Sequence, residues 1–329
     1  MKTIAYIVPY FGKLPELFPF WLNSCRHNTT VDWFLFIDDQ RAFEYPGNVH
    51  VKYMTFSDLI ELIGIKFDYN ICLDRPYKLC DFRIAYGEIF GDNIKGYDFW
   101  GFCDLDLIWG DIRHFLTEEV LHKFDKIGFQ GHSTLVRNTD YYNSLYLHSL
   151  KNGATFKEIA QSSDNCMADE IFFNQLCIEK NVPTWRDLSF ANLSPFLWNF
   201  RLDFICREEK YKNNYFVFEY NNGDLFRVAV FRNKLYRDQY MYVHFLKRIM
   251  TINIDAHANR FLIVPNSIIE YIELAPAMVK QYNRPHYIQY FVNHFKENSY
   301  KLKWNTILPI FFTKIKGYYR LFLRSNKSQ

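Results

Sequence analysis

Glycine and proline are scarce, 13 and 11 of 329 residues, and that scarcity argues against a disordered or linker-dominated chain. No apolar run reaches the ~18 residues needed to cross a bilayer. No positively charged, apolar leader precedes Ile4, so a cytoplasmic location is expected, free or at a membrane surface. The seven cysteines (Cys25, Cys72, Cys80, Cys103, Cys166, Cys177, Cys206) are scattered with no CxxC pair; several lie within apolar runs and read as inert buried thiols, and a reducing compartment is expected. A dinucleotide GxGxxG and a Walker GxxxxGK[ST] are both missing. Any phosphate must therefore be held another way, and a metal ion with a lysine is the obvious alternative.

What is present is apolar and aromatic. Hydrophobic residues make up 49% of the chain and aromatics 19%, enough for one large α/β domain with an appendage or for two modest domains. The net charge of +3 is uneven. From Lys301 onward there are seven basic residues and no acid, so the rest of the chain carries −4. Within that tail, Ile307, Ile310, Phe311, Ile315, Tyr318 and Phe322 fall at helical spacing beside Lys316, Arg320 and Arg324. A basic amphipathic face of this kind suits an anionic membrane surface, or a helix packed on the body with a solvated basic side. Pro309 argues against one uninterrupted helix, and with no recognition motif nucleic acid is not an expected partner.

Strands and helices alternate along the first 250 residues. Short β-branched or aromatic runs predict strands over 2–9, 32–39, 49–54, 98–103, 126–129 and 133–136. Helices are expected over 15–27, 77–90, 112–123 and 169–179. The apolar stripe Leu79, Phe82, Ala85, Tyr86, Ile89 supports the second of these. Asn221-Asn222-Gly223-Asp224 between two apolar runs predicts a β-hairpin over 214–231. The expected fold class is α/β, a mostly parallel sheet flanked by helices, with a hairpin insertion and a helical C-terminal extension. The expected division is 1–250 for the catalytic domain and 251–329 for the extension.

The most informative stretch is Asp98-Phe-Trp-Gly-Phe-Cys-Asp-Leu-Asp-Leu-Ile-Trp-Gly-Asp-Ile112. An apolar strand stops on two carboxylates, Asp104 and Asp106, which project to one side while Leu105 points back to the core. Carboxylates aimed at one point repel unless a cation sits between them, and hard oxygen ligands suit Mg²⁺ or Mn²⁺. The carboxyl end of a strand in an α/β sheet is where a binding crevice is expected. Asp38, at the end of the second strand, could accept a hydrogen bond from the N–H of a uracil, or serve only as a turn aspartate. Pro9, Tyr10 and Phe11 could line a base pocket, or pack in the core.

The Asp104-Leu105-Asp106 triplet after an apolar strand resembles the signature of the GT-A class of nucleotide-sugar-dependent glycosyltransferases. The string CDLDLIWGDI is similar to bacterial enzymes that assemble capsule and surface polysaccharides. The resemblance spans about residues 1 to 250 and does not fix the sugar. It implies a divalent ion, Mn²⁺ or Mg²⁺, a nucleotide-sugar donor such as a UDP-sugar, and a saccharide or lipid-linked saccharide acceptor. It implies that His244 of His244-Phe-Leu-Lys247 completes the metal shell and that Lys247 meets the diphosphate; the alternatives are a core histidine and a surface lysine. In the same class an acid and a basic residue contact nucleoside and sugar-phosphate where Lys78, Asp81 and Arg83 stand, although these three could form an ordinary surface network. Inverting members place an acid at a helix N-terminus like that of Asp169 and Glu170, making Asp169 first and Glu170 second as general base. Acids there also simply complement the helix dipole. Gly131 to Thr134 and Asn138 would lie beside the donor sugar. Two rival functions are a sugar-nucleotide nucleotidyltransferase, disfavoured by the glycine-poor loop Pro9-Tyr-Phe-Gly-Lys13, and a non-catalytic saccharide-binding or scaffold protein.

Overall fold

A computed structural model describes residues 1–193, 199–202, 215–246 and 248–284. In chain order the strands are β1 (Ile4–Tyr10), β2 (Val31–Ile37), β3 (Val49–Tyr53), β4 (Phe99–Cys103), β5 (Leu107–Trp109), β6 (Lys126–Gln130), β7 (Ser133–Arg137) and β8 (Thr184–Trp185). They continue with β9 (Phe190–Asn192), β10 (Phe216–Asn221), β11 (Asp224–Phe231), β12 (Lys234–Gln239), β13 (Tyr242–His244), β14 (Thr251–Ile252), β15 (Arg260–Val264) and β16 (Ser267–Glu270). A seven-stranded sheet runs β3-β2-β1-β4-β7-β6-β8, a six-stranded sheet β12-β11-β10-β15-β16-β14, and a three-stranded sheet β5-β13-β9. In the first, only β7 runs against its neighbours. The protein is thus mixed α/β. The expected mostly parallel arrangement describes this one sheet, because the tight hairpins of the six-stranded sheet impose antiparallel pairing there.

The central strands of the seven-stranded sheet, β1 and β4, are buried on both faces, which explains why they read as nearly unbroken apolar runs, while the edge strand β3 is largely exposed. Ile4, Tyr6 and Val8 of β1 join one core, and Ala5 and Ile7 the other. The first core receives Phe18, Trp21, Leu22 and Cys25 from the helix Phe18–Arg26 and also the inner face of the six-stranded sheet, through Phe216, Phe218, Tyr220, Phe261 and Ile263. The second takes Leu59 and Ile63 from the helix Phe56–Gly64, with Leu79, Phe82 and Tyr86. Each such side chain contributes about 1.5–3 kcal/mol on burial. At the centre, Gly101 lets β4 and β7 lie close, since a Cβ there would stand 2.2 Å from the Thr134 carbonyl oxygen.

Three expected helices differ in detail. The 77–90 segment is a chain of short pieces, in which 3-10 turns at Pro76–Lys78 and Arg83–Ala85 precede the helical turns Leu79–Phe82 and Tyr86–Ile89 respectively. Interruptions of this type mark strain or function, and one falls on Arg83. The 112–123 segment divides into Ile112–Phe115 and Glu118–Lys123, because Thr117 turns extended and caps the second piece by accepting from the Val120 N–H. The 169–179 helix opens with a π-helical turn, Ala168–Phe172, after Met167 in the left-handed region at φ 52°.

The hairpin forms as expected around Asn222 and Gly223, both at positive φ. A second tight turn at Arg232 and Asn233, again both at positive φ, adds β12. Residues Met1–Asn283 form one compact unit. Beyond residue 250, β15 pairs with β10 and the helix Pro276–Tyr282 puts Val279 into a third core with Val217 and Leu262, so 251–283 completes the hairpin's sheet. Among the described residues no helix is long and apolar enough to cross a membrane. The expected basic helix over 304–324 lies outside the described residues.

Candidate functional site

The site begins where β4 ends. Its ladder with β7 continues one step past Cys103, as the Asp104 N–H donates to the His132 carbonyl at 3.0 Å. Leu105 turns inward and is buried. The next strand, β5, pairs antiparallel with β13, opposing Leu107 to His244. The Phe245 N–H then donates to the Asp106 carbonyl at 2.9 Å. That pairing brings His244 to the aspartates across 138 positions of sequence. Its Nε2 lies 3.1 Å from Asp106 Oδ1 and 3.6 Å from Asp104 Oδ2. One ligand atom from each of the three residues falls within 4.8 Å of the others. His244 is buried, while the Asp104 and Asp106 side chains keep 29% and 21% exposure, so solute can reach the carboxylates.

These residues fit a hard divalent ion. Octahedral ligands at ~2.1 Å from a metal stand about 3 Å apart when adjacent, close to the spacing of His244 Nε2 and Asp106. The two carboxylates match Mn²⁺ or Mg²⁺ in kind, with the imidazole as a single nitrogen donor beside them. Burial works against a charge on His244, but the charge and hydrogen bond of Asp106, with Asp104 behind it, prevail and raise its pKa above the ordinary imidazole value. The pocket therefore favours positive charge where the three side chains converge.

A second group adjoins the first. Arg83 reaches from its 3-10 turn to three oxygens: Asp104 Oδ1, Asp169 Oδ2 at 3.0 Å and the Gly131 carbonyl at 2.7 Å. Asp169 is buried in the π-helical turn, and Glu170 accepts from the Gly131 N–H at 3.2 Å. Gly131 is required by this closeness, since a Cβ there would stand 2.7 Å from Asp169 Oδ2. Burial pushes the Asp169 carboxyl up to about 7 against the pull of Arg83, with Glu170 adding to the rise. A carboxyl with that value exchanges its proton near neutral pH. Tyr77, more than half exposed, lies within electrostatic reach of Asp104, Asp169 and Arg83.

Lys78 and Asp81 occupy a different setting. Both side chains are essentially inaccessible, and Lys78 Nζ donates to Asp81 Oδ2 at 2.8 Å and to the carbonyls of Ile159 and Asp164. Asp81 in turn accepts from the Cys166 and Ala168 N–H groups, each at 2.9 Å. The pair holds the segment that leads through Met167 into Asp169. In this arrangement neither side chain faces the crevice, and of Lys78, Asp81 and Arg83 only Arg83 touches the site carboxylates.

The sequence profile of the Family of unknown function (DUF6625) matches residues 6–272, most of the chain. The chain belongs to that family. No curated protein matches it. Among solved structures it is similar to mouse xyloside xylosyltransferase 1 in its apo form, at 10% identity and a TM-score of 0.36, over 59% of this chain and 88% of that one. A likeness so loose carries no functional weight.

In this DUF6625 chain the other expected residues divide by environment. Tyr10, at the end of β1, lies near Asp106, and its hydroxyl pKa is raised by burial and then by the charges of Asp106 and Asp39. Pro9 pairs with Phe36 of β2 and is partly buried. Phe11 packs on Phe56 in the core. Asp38 is exposed and accepts from the Gly12 N–H at 2.7 Å, which closes the loop after β1. Ser133, Thr134 and Asn138 make internal hydrogen bonds to the Tyr6 hydroxyl, the Gln130 carbonyl and the Ile94 and Tyr97 carbonyls. Lys247 lies outside the described residues. His132, within the segment expected beside the donor, stands with its ring 4.5 Å from the His244 ring while bonding the Tyr242 hydroxyl. One participant went unforeseen: Asn192 bonds His244 Nδ1 at 2.8 Å. It depends on strands distant in sequence, and no local pattern marks it.

Proposed function

We propose that the protein is a metal-dependent glycosyltransferase that moves a sugar from a nucleotide diphosphate, a UDP-sugar foremost, to a saccharide hydroxyl with inversion. One observation carries this reading: Asp104, Asp106 and His244 converge within 4.8 Å at the carboxyl end of β4, beside the Arg83–Asp169 pair. A divalent ion held there would neutralise charge on the departing diphosphate. Tyr10 and Pro9 line the nucleoside side, and Asp38 offers an exposed carboxylate to a base N–H. Asp169 takes the proton of the acceptor hydroxyl as that oxygen bonds the anomeric carbon and the bond to the diphosphate breaks. Its pKa near 7 suits the task, and Glu170 is the second candidate. Arg83 orients Asp169 and Asp104 toward one another's side of the crevice, and Lys247 assists the leaving group.

The acceptor on this reading is a saccharide or lipid-linked saccharide of a bacterial surface polysaccharide, as the resemblance of CDLDLIWGDI implies. The protein would act at the cytoplasmic membrane face, with the basic segment after Lys301 on anionic lipid. The glycine-poor loop after β1 speaks against a nucleotidyltransferase. The deciding experiment is turnover of a panel of UDP- and GDP-sugars with Mn²⁺ or with chelator, in wild type and Asp106→Ala. Metal-dependent release of nucleoside diphosphate that the substitution abolishes supports the reading; equal turnover in chelator or in the variant refutes it.

A further inference from the structure

We infer that Asn192 is the positioning residue that makes His244 a metal ligand. The inference rests on the reading of Asp104, Asp106 and His244 as a divalent-cation site. β9 and β13 are parallel neighbours with Asn192 directly opposite His244, and the Leu193 N–H donates to the His244 carbonyl at 3.0 Å. The strand pairing thus places the amide side chain against the imidazole before any ion binds. Asn192 is 5% exposed, and its Oδ1 lies 2.8 Å from His244 Nδ1.

A carbonyl-type oxygen can only accept, so the proton of the neutral imidazole resides on Nδ1 and the lone pair on Nε2. Nε2 is the nitrogen that faces Asp106 and Asp104. Ring rotation is opposed from the side by His132, whose ring lies 4.5 Å away at 36°. Partners of this kind orient a ligating histidine, and removing them typically costs about 10–100-fold in metal affinity. Without Asn192 the buried Nδ1–H would lose its acceptor and the ring its preferred orientation.

The test is Mn²⁺ binding to the full chain, read by electron paramagnetic resonance, with circular dichroism as a check of folding. Asn192→Leu should weaken Mn²⁺ binding about 10–100-fold. Asn192→Asp should keep wild-type affinity or exceed it, because its carboxylate presents acceptor oxygens only. Wild-type affinity in Asn192→Leu, or loss in Asn192→Asp as large as in Asn192→Leu, overturns the inference while leaving the metal site standing. An absence of Mn²⁺ binding in wild type, or binding indifferent to Asp106→Ala, overturns the underlying site as well. Should Asn192→Leu fail to fold, Asn192→Asp decides alone, since an amide that presented its NH₂ to His244 could not be replaced by a carboxylate.

Discussion

Two charged groups on the same half of the chain, Lys78 with Asp81 and Asp104 with Asp106, behave in opposite ways. Lys78 and Asp81 are sealed in the protein with every strong partner supplied: an opposite charge, two carbonyls and two backbone N–H groups. Asp104 and Asp106 end a strand with exposed oxygens and converge on an imidazole. The first arrangement consumes its charge internally, and a buried pair like this one serves structure. The second leaves negative charge concentrated and accessible, which is what a cation site requires. Arg83 lies between them in sequence and belongs with the second, since its guanidinium binds both Asp104 and Asp169.

The contrast breaks most visibly through substitution on each side. Asp106→Ala should reduce sugar transfer by about 10³-fold or more, the upper end for loss of one charge-stabilising group, with the thermal midpoint nearly unchanged. Steady-state rates and a melt on the same sample check this. Asp81→Ala should do the reverse. It leaves the Lys78 ammonium buried without its counter-charge, so stability should fall by about 3–5 kcal/mol, measured by denaturant unfolding, while the folded fraction still binds Mn²⁺. A stable Asp81→Ala protein that had lost metal binding would reverse the assignment of the two groups.

Asp169 sharpens the comparison, because burial pushes its carboxyl up to about 7. Asp169→Asn should lower transfer by ~10²–10⁴-fold and spare donor binding. Wild-type kcat/KM should rise with pH through about 7 as the base loses its proton, and that limb should vanish in the variant. The sign for stability is opposite. Between about pH 4 and 7 the native state holds a proton that the unfolded chain has released, so Asp169 favours folding less as pH rises and adds no further change above 7. A retained anomeric configuration in the product, read by NMR, would remove the need for this base.

Smaller effects should follow at the margins. Gly131→Ala would press a methyl group against Asp169 Oδ2, 2.7 Å away, and displacement of a base by about 1 Å costs on the order of 10²-fold in rate. Wild-type kcat in this variant would mean that the base sits elsewhere. Deleting the residues after Tyr300 should release the protein from anionic liposomes at low salt, each basic residue there being worth about 1 kcal/mol. Flotation unchanged by the deletion would return the tail to an ordinary solvated surface.

Much of this was legible in the chain because it is local. An apolar run ending on Asp104 and Asp106 states both a strand and the end where its carboxylates gather, and Asn222-Gly223 states a hairpin. Burial and long-range pairing are not local. Lys78, Asp81 and Arg83 look equivalent in sequence, yet the fold seals two and aims the third at the site. Asn192 closes on His244 only because β9 meets β13, and β12 follows a turn whose positive φ falls on Arg232 as well as on Asn233. The six-stranded sheet joins residues on both sides of position 250 for the same reason: β10 pairs with β15, far along the chain.

The most direct measurement is calorimetric titration of UDP into the protein with Mn²⁺ and with chelator, for wild type and Asp106→Ala. If Asp104, Asp106 and His244 hold a cation that binds the diphosphate, wild type binds UDP only with Mn²⁺ and Asp106→Ala does not bind it in either condition. UDP binding that survives both chelator and the substitution, or that never occurs, would contradict the assignment.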